Sequence, residues 1–296
     1  MIINYKVFQG GSISIMIIDF RLRPPYGSYL QTIMYRDPEF CKVNFYNKMG
    51  MYQPESAKQH SMELMLQEMD EAGITKAVIP GRKANPRMGV VDNKDIVELV
   101  EKYPDRFIGF PGIDPTDAEQ AINEIEELVI KGPCTGIVME PGVLVKPMYS
   151  DDERIYPIYE KCQEENIPVI LMNGGNAGPD VSYSMPIYVD HIAVAFPKLK
   201  LIISHGGWPW VTEMLHVAWR RTNVYVSPDM YMVNVPGWQD YVTAANYILK
   251  DRFLFATSYP FVPFKDGIEY FKKCGVKEEL LPDLMYNNAA QLLGLK

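Results

Sequence analysis

The sequence predicts a single-domain α/β protein of the (β/α)8 barrel class, and three observations carry that expectation. Eight short apolar segments alternate with segments of helical period along nearly the whole length. At 296 residues the chain exceeds the usual domain size, yet (β/α)8 barrels reach this length as one unit. Ionisable residues also stand at the ends of segments far apart in sequence, and a barrel gathers those ends on one face. A doubly wound open sheet is the runner-up.

Residues 1–15 lack the long apolar core and small-residue cleavage site of a signal peptide, and are expected to be an N-terminal extension before a barrel domain of 16–296. The first strand begins at Ile17 and ends in Arg21-Leu22-Arg23. Strand alternation puts both arginines on one face, with Phe20 and Leu22 on the other. Neighbouring guanidiniums repel, so the pair calls for carboxylate partners or an anion that needs both. Pro24 to Gln59 is rich in Tyr, Pro and Asn without a period, which predicts a long functional loop.

A helix follows over Ser61 to Ala72, with Met62, Met65, Leu66 and Met69 on one stripe and Gly73 as its stop. The next strand is Lys76 to Pro80. From there helices at Asn93–Tyr103, Asp117–Ile130, Arg154–Glu165, Ile187–Phe196, Val211–Arg220 and Asp240–Leu249 alternate with strands. Those strands are Phe107–Ile113, Gly136–Met139, Pro168–Met172, Leu201–Ser204, Val224–Ser227 and Phe253–Ala256. Each is short and apolar, as burial on both faces requires. Helices at Asp266–Lys273 and Pro282–Leu293 end the chain.

Composition removes several function classes. A net charge of -8 argues against nucleic acid or an acidic membrane as the main partner, since either selects a basic surface. Cys41, Cys134, Cys162 and Cys274 have neither CxxC nor Cys-His spacing, which fits reduced thiols in a cytoplasmic protein. No apolar run reaches membrane-spanning length.

The strand ends supply the candidate site: Arg21 and Arg23 from the first, Arg82 and Lys83 from the second, Glu140 from the fourth. Met172 and Asn173 end the fifth, His205 the sixth, Asp229 follows the seventh, and Ser258 and Tyr259 follow the eighth. His205 suits a general acid or base, and nearby arginines lower its pKa toward the neutral imidazole. Asp229 either orients His205 or activates water, or else caps a turn. Glu140 is a base or the ion-pair partner that neutralises an arginine. Asn173 and Asn176 flank the glycine-rich run Gly174-Gly175, a weak anion-binding signal. Trp208 can stack on a planar ligand or simply pack, and Tyr259 can offer a phenol to an oxyanion.

Four segments carry a resemblance: Phe196 to Gly207 with Ser204-His205-Gly206-Gly207, Asn223 to Val226, Leu254 to Phe261, and Asn287 to Leu293. From Met16 onward the chain resembles the amidohydrolase-related family of the metal-dependent hydrolase superfamily, which includes aminocarboxymuconate-semialdehyde and resorcylate decarboxylases. In that family the first strand ends His-x-His, strands five and six end in histidine, and strand eight carries an aspartate. Here the matching positions are Arg21, Arg23, Met172 or Asn173, His205 and Ser258, so only the histidine of strand six remains. Arginine has no lone pair to offer a metal, and the departure implies a site without metal or other cofactor.

The expectation is a metal-independent hydrolase acting on a small anionic lactone, ring or amide substrate. Arg21, Arg23 and Arg82 would hold the anion, with Asn173, Trp208, Ser258 and Tyr259 as further contacts and His205, Asp229 and Glu140 as the catalytic groups. A non-oxidative decarboxylase or hydratase of the same fold is the close alternative, and a non-catalytic ligand-binding barrel the other. The resemblance also implies a homodimer.

Overall fold

A computed structural model describes residues 5–7 and 13–295. Residues 1–4 and 8–12 of the expected extension lie outside the described residues. Within it, Tyr5–Val7 pairs antiparallel with Ile13–Ile15.

The barrel strands are all parallel. Ile17–Asp19, Ile74–Pro80 and Phe107–Phe110 form one run of neighbours, and Ile137–Met139, Val169–Met172, Leu201–Ser204 and Val224–Ser227 form the other. A bridge between Gly112 and Val138 joins the two runs, with Val138 N donating to Pro111 O at 3.0 Å. The eighth strand is an extended segment bonded on both sides. Leu254 N reaches Val226 O at 3.0 Å, while Phe20 N reaches Phe255 O at 2.9 Å, so the ring closes.

Alternation along each strand explains why these segments are apolar throughout. Ile18, Val78, Ile108, Val138, Ile170, Ile202 and Leu254 fill the barrel interior, together with Ala289 and Leu292 of the last helix, Asn288–Leu293. Their neighbours Ile17, Ile79, Phe107, Ile137, Val169 and Leu201 face the surrounding helices in a larger shell. Most residues on both sides of the barrel strands are removed from water, and that burial is the main favourable term in folding.

Two expectations are corrected. The first strand ends at Asp19, not Arg23, because the Asp19 carboxylate accepts Arg21 N at 3.0 Å and turns the chain. Phe20 therefore points into the barrel interior and Leu22 into the outer shell, so these two do not share a face. The segment from Pro24 to Gln59 is not a structureless loop. It folds into single turns at Gly27–Gln31, Ile33–Arg36 and Glu55–Lys58, and into one unbroken helical run made of Pro38–Cys41, the π-helical Lys42–Tyr46 and Asn47–Met49. The turns are too short to show a period and the π-helical middle interrupts that of the run, which Asp37 caps by accepting Phe40 N at 3.0 Å.

Candidate active site

The strand ends converge as barrel topology demands, and three of them do so in a backbone conformation that L-residues rarely adopt. His205, Asp229 and Ser258 have φ of 63°, 49° and 56°. Left-handed backbone costs free energy at non-glycine residues, and three consecutive exits in this state mark a place where side-chain direction outweighs local comfort.

Glu140 is the electrostatic centre. Its Oε1 lies 3.0 Å from Arg23 Nη2 and 3.7 Å from Arg21 Nη2, and its Oε2 accepts from Arg82 Nε at 2.7 Å. All four residues are buried. Burial alone raises the Glu140 pKa, but the guanidiniums of Arg82, Arg23 and Arg21 outweigh it and hold the carboxyl at about 2. One carboxylate cannot satisfy three guanidiniums. Arg21 Nη1 and Arg82 Nη1 are sealed from bulk water and have no hydrogen-bond partner among the described residues.

Arg21 also connects the cluster to a second pair. Its Nε is 3.6 Å from Asp229 Oδ2, and its Nη2 is 3.4 Å from His205 Nε2. Asp229 Oδ1 sits 3.0 Å from His205 Nδ1, and Asp229 Oδ2 accepts the His205 backbone N–H at 3.1 Å. These partners assign the tautomer: Nδ1–H donates to the carboxylate, and the Nε2 lone pair faces Arg21. The His205 pKa is lowered, first by burial and then by the Arg21 and Arg23 charges, with Asp229 opposing. The imidazole is therefore neutral at pH 7 and can accept a proton at Nε2.

A cavity of about 410 Å3 opens over these groups. Arg21, Arg23, Arg82, His205 and Ser258 line its polar floor. Met34, Phe45, Met88, Met172, Met230 and Phe261 form apolar walls, and Asn85, Arg87 and Asn176 stand among the remaining lining residues.

Other residues singled out from the sequence lie elsewhere. Glu140 and Asp229 sit behind the arginines and His205 rather than in the lining. Asn173 is fully buried and donates Nδ2–H to Ser184 O at 3.0 Å, which ties down the glycine-rich loop. Trp208 does not line the cavity: it stacks on Tyr231 with ring centroids 5.1 Å apart and donates Nε1–H to Pro236 O. Tyr259 is turned away as well, its hydroxyl 2.6 Å from Ser56 Oγ and its ring stacked on Phe264.

Sequence reasoning missed Tyr231, which lines the cavity and meets the His205 ring edge-on at 5.1 Å. A side chain at Gly175 would strike the Tyr231 hydroxyl, so the glycine-rich loop makes room for that ring. Its place two residues after Asp229 is the only sequence signal that pointed to it.

Comparisons with known proteins agree with this architecture. A family model described as amidohydrolase matches residues 41–295. An uncharacterised TIM-barrel protein from Bordetella bronchiseptica is 41% identical, with a TM-score of 0.91 over 95% of this chain and 99% of that one. The gamma-resorcylate decarboxylase of Polaromonas sp. (strain JS666) is 23% identical across 80% of this chain and 85% of its own length. A dihydroxybenzoic acid decarboxylase structure from Polaromonas sp. JS666, with bound manganese and the inhibitor 2-nitroresorcinol, shares the fold. Its TM-score is 0.67 at 17% identity, over 95% of this chain and 96% of that one.

The donor set here does not fit such a metal. Among the described residues no group of three His, Cys, Asp or Glu side chains could hold an ion. Beside His205 and its Asp229 partner the site is filled by the guanidiniums of Arg21, Arg23 and Arg82, which repel a divalent ion and have no lone pair to give it. Everything outside that charge reversal, from the closed ring of parallel strands to the family match spanning residues 41–295, says that the chain belongs to the amidohydrolase family.

Proposed function

We propose that this protein is a lyase of the amidohydrolase fold that decarboxylates a small hydroxy-carboxylate without metal, using fixed guanidiniums where relatives use an ion. The observation that carries the reading is the set of three guanidiniums, Arg21, Arg23 and Arg82, that share the single Glu140 carboxylate at the cavity floor, beside a neutral imidazole. One carboxylate leaves that cluster with excess positive charge, which an oxyanion arriving at the cavity floor offsets. The hydrolase expected from sequence gives way because the curated relative is named for a decarboxylation.

The chemistry balances as a proton relay. A hydroxyl ortho to the substrate carboxylate gives its proton to His205 Nε2, and the resulting oxyanion is held by Arg21 and Arg82. The ring carbon bearing the carboxylate then takes that proton back from the imidazolium. The C–C bond breaks, its electrons return through the ring to the same oxygen, and CO2 leaves; solvent supplies the final proton to the phenolate. Charge moves during the reaction from the carboxylate onto the hydroxyl oxygen. Guanidiniums placed at that oxygen therefore stabilise the transition state more than the ground state.

The test is incubation of purified protein with ortho-hydroxybenzoates, 2,6-dihydroxybenzoate among them, with and without chelator. Released CO2 and the phenol product are measured by chromatography. Chelator-insensitive turnover that disappears in His205→Asn is expected, and turnover abolished by chelator would sink the metal-free reading. The neutral Nε2 also suits activation of water, so hydration of an unsaturated carboxylate is the second reading; an alcohol product formed without CO2 would decide for it.

A further inference from the structure

The cavity lining contains four arginines, Arg21, Arg23, Arg82 and Arg87, and no aspartate or glutamate, in a chain with 37 acidic against 29 basic residues. Three of the four are the floor cluster. Arg87 is different: it is exposed, and no carboxylate among the described residues pairs with it.

Arg87 is held in place by its backbone. Asn85 Oδ1 accepts Arg87 N at 3.1 Å and Met88 N at 3.2 Å, while Asn85 Nδ2 donates to Val143 O at 2.8 Å. Arg36 Nη2 donates to Arg87 O at 2.7 Å, and both terminal nitrogens of Arg36 reach Pro86 O at 3.2 Å. The stem of the same excursion is closed by an antiparallel bridge between Arg82 and Val91. One pinned loop thus starts with a buried floor arginine and carries, five residues later, an exposed one over the Phe40 ring at 5.5 Å. Apolar residues, Met34, Met88, Leu144 and Phe45 among them, make up the rest of the wall between polar groups.

We infer that the site takes a dianion: a flat, apolar body with one acidic group on the Arg21–Arg82 floor and a second, at its far end, on Arg87. This rests on the anion-holding reading of the floor and adds to it the substrate class and Arg87 as the residue that selects for it. A monoanion leaves Arg87 facing solvent, whereas a second carboxylate gains a charge-assisted contact with an exposed guanidinium.

Calorimetric titration with benzoate, benzene-1,3-dicarboxylate and benzene-1,4-dicarboxylate tests it without requiring turnover. One of the two dicarboxylates is expected to bind about threefold to fivefold tighter than benzoate, the worth of one exposed ion pair. In Arg87→Gln that ratio is expected to fall to about one, and a thermal melt confirms that this surface variant is folded. Benzoate binding as tightly as both dicarboxylates overturns the dianion proposal and leaves the floor reading standing. A ratio unchanged in Arg87→Gln overturns the assignment to Arg87. Binding of none of the three overturns the floor reading and the proposal together.

Discussion

Glu140 shows how far single residues here depend on their neighbours. Its carboxylate is shared by three buried guanidiniums, so Glu140→Gln leaves their charge without a counter-ion and is expected to cost roughly 3–5 kcal/mol in denaturant unfolding. Its folded pKa of about 2 lies below the ordinary 4.5, so the stability it contributes is complete above pH 4.5 and is lost as pH falls toward 2. His205 titrates with the opposite emphasis. Burial lowers its pKa below 6.5, so the acid limb of the rate profile is expected below pH 6.5, with rate rising as pH rises. Asp229 raises that pKa, and Asp229→Asn should move the limb to still lower pH. A limb that stays in place would remove His205 as the base. The positions of Arg21, Arg23, Arg82, Glu140, His205 and Asp229 were legible in the sequence because each stands within four residues of a strand end, where barrel topology fixes the neighbourhood. Trp208 was misplaced because it sits in a turn, where no period dictates which way a ring points, and Tyr259 because its ring, on a residue bridged to Leu22, is directed at Ser56 and Phe264 instead of the cavity.

At the scale of elements, the seam between the first and eighth strands joins a buried carboxylate to one of the three left-handed residues at the strand exits. Asp19, fully buried, accepts Arg21 N and Thr257 N at 3.0 Å and also the Thr257 hydroxyl, which locks the two strand ends together. Immediately after Thr257 comes Ser258 at φ 56°, with its side chain in the cavity lining. Ser258→Gly relieves the left-handed strain and is expected to raise stability by up to about 1 kcal/mol while weakening substrate binding. A thermal melt paired with benzoate titration reads both effects, and a variant no more stable than the parent would show that the seam bears no strain. The strands themselves were legible from apolar runs. The short helical pieces between Gly27 and Lys58 were not, since their geometry comes from caps and from packing of Tyr29, Met34 and Tyr46 into the shell.

Over the whole molecule, two charge scales oppose each other. The chain carries -8 overall, yet the cavity over the strand ends is lined by four arginines and no acid. An approaching anion is repelled at long range and captured at short range. Salt screens both, but buried charges are screened less than the surface field. Affinity for benzoate is therefore expected to fall only a few-fold between low and half-molar salt, and a fall of a hundredfold or more would place the binding on the surface instead. The barrel was legible at this scale because eight alternations leave few topologies open. The direction of the chemistry was less so, since a neutral base beside an oxyanion site serves hydrolysis, hydration and decarboxylation alike. No helix among the described residues is long and apolar enough to cross a membrane.

The shared carboxylate also couples the positions around it. Glu140 is tolerable only with its arginines, and the arginines only with Glu140, so their substitutions are strongly non-additive. In sequence space the cluster acts as a ratchet. Leaving it one substitution at a time passes through chains with an unpaired buried charge, so placing imidazole at positions 21 and 23 requires Glu140 and Arg82 to change with them.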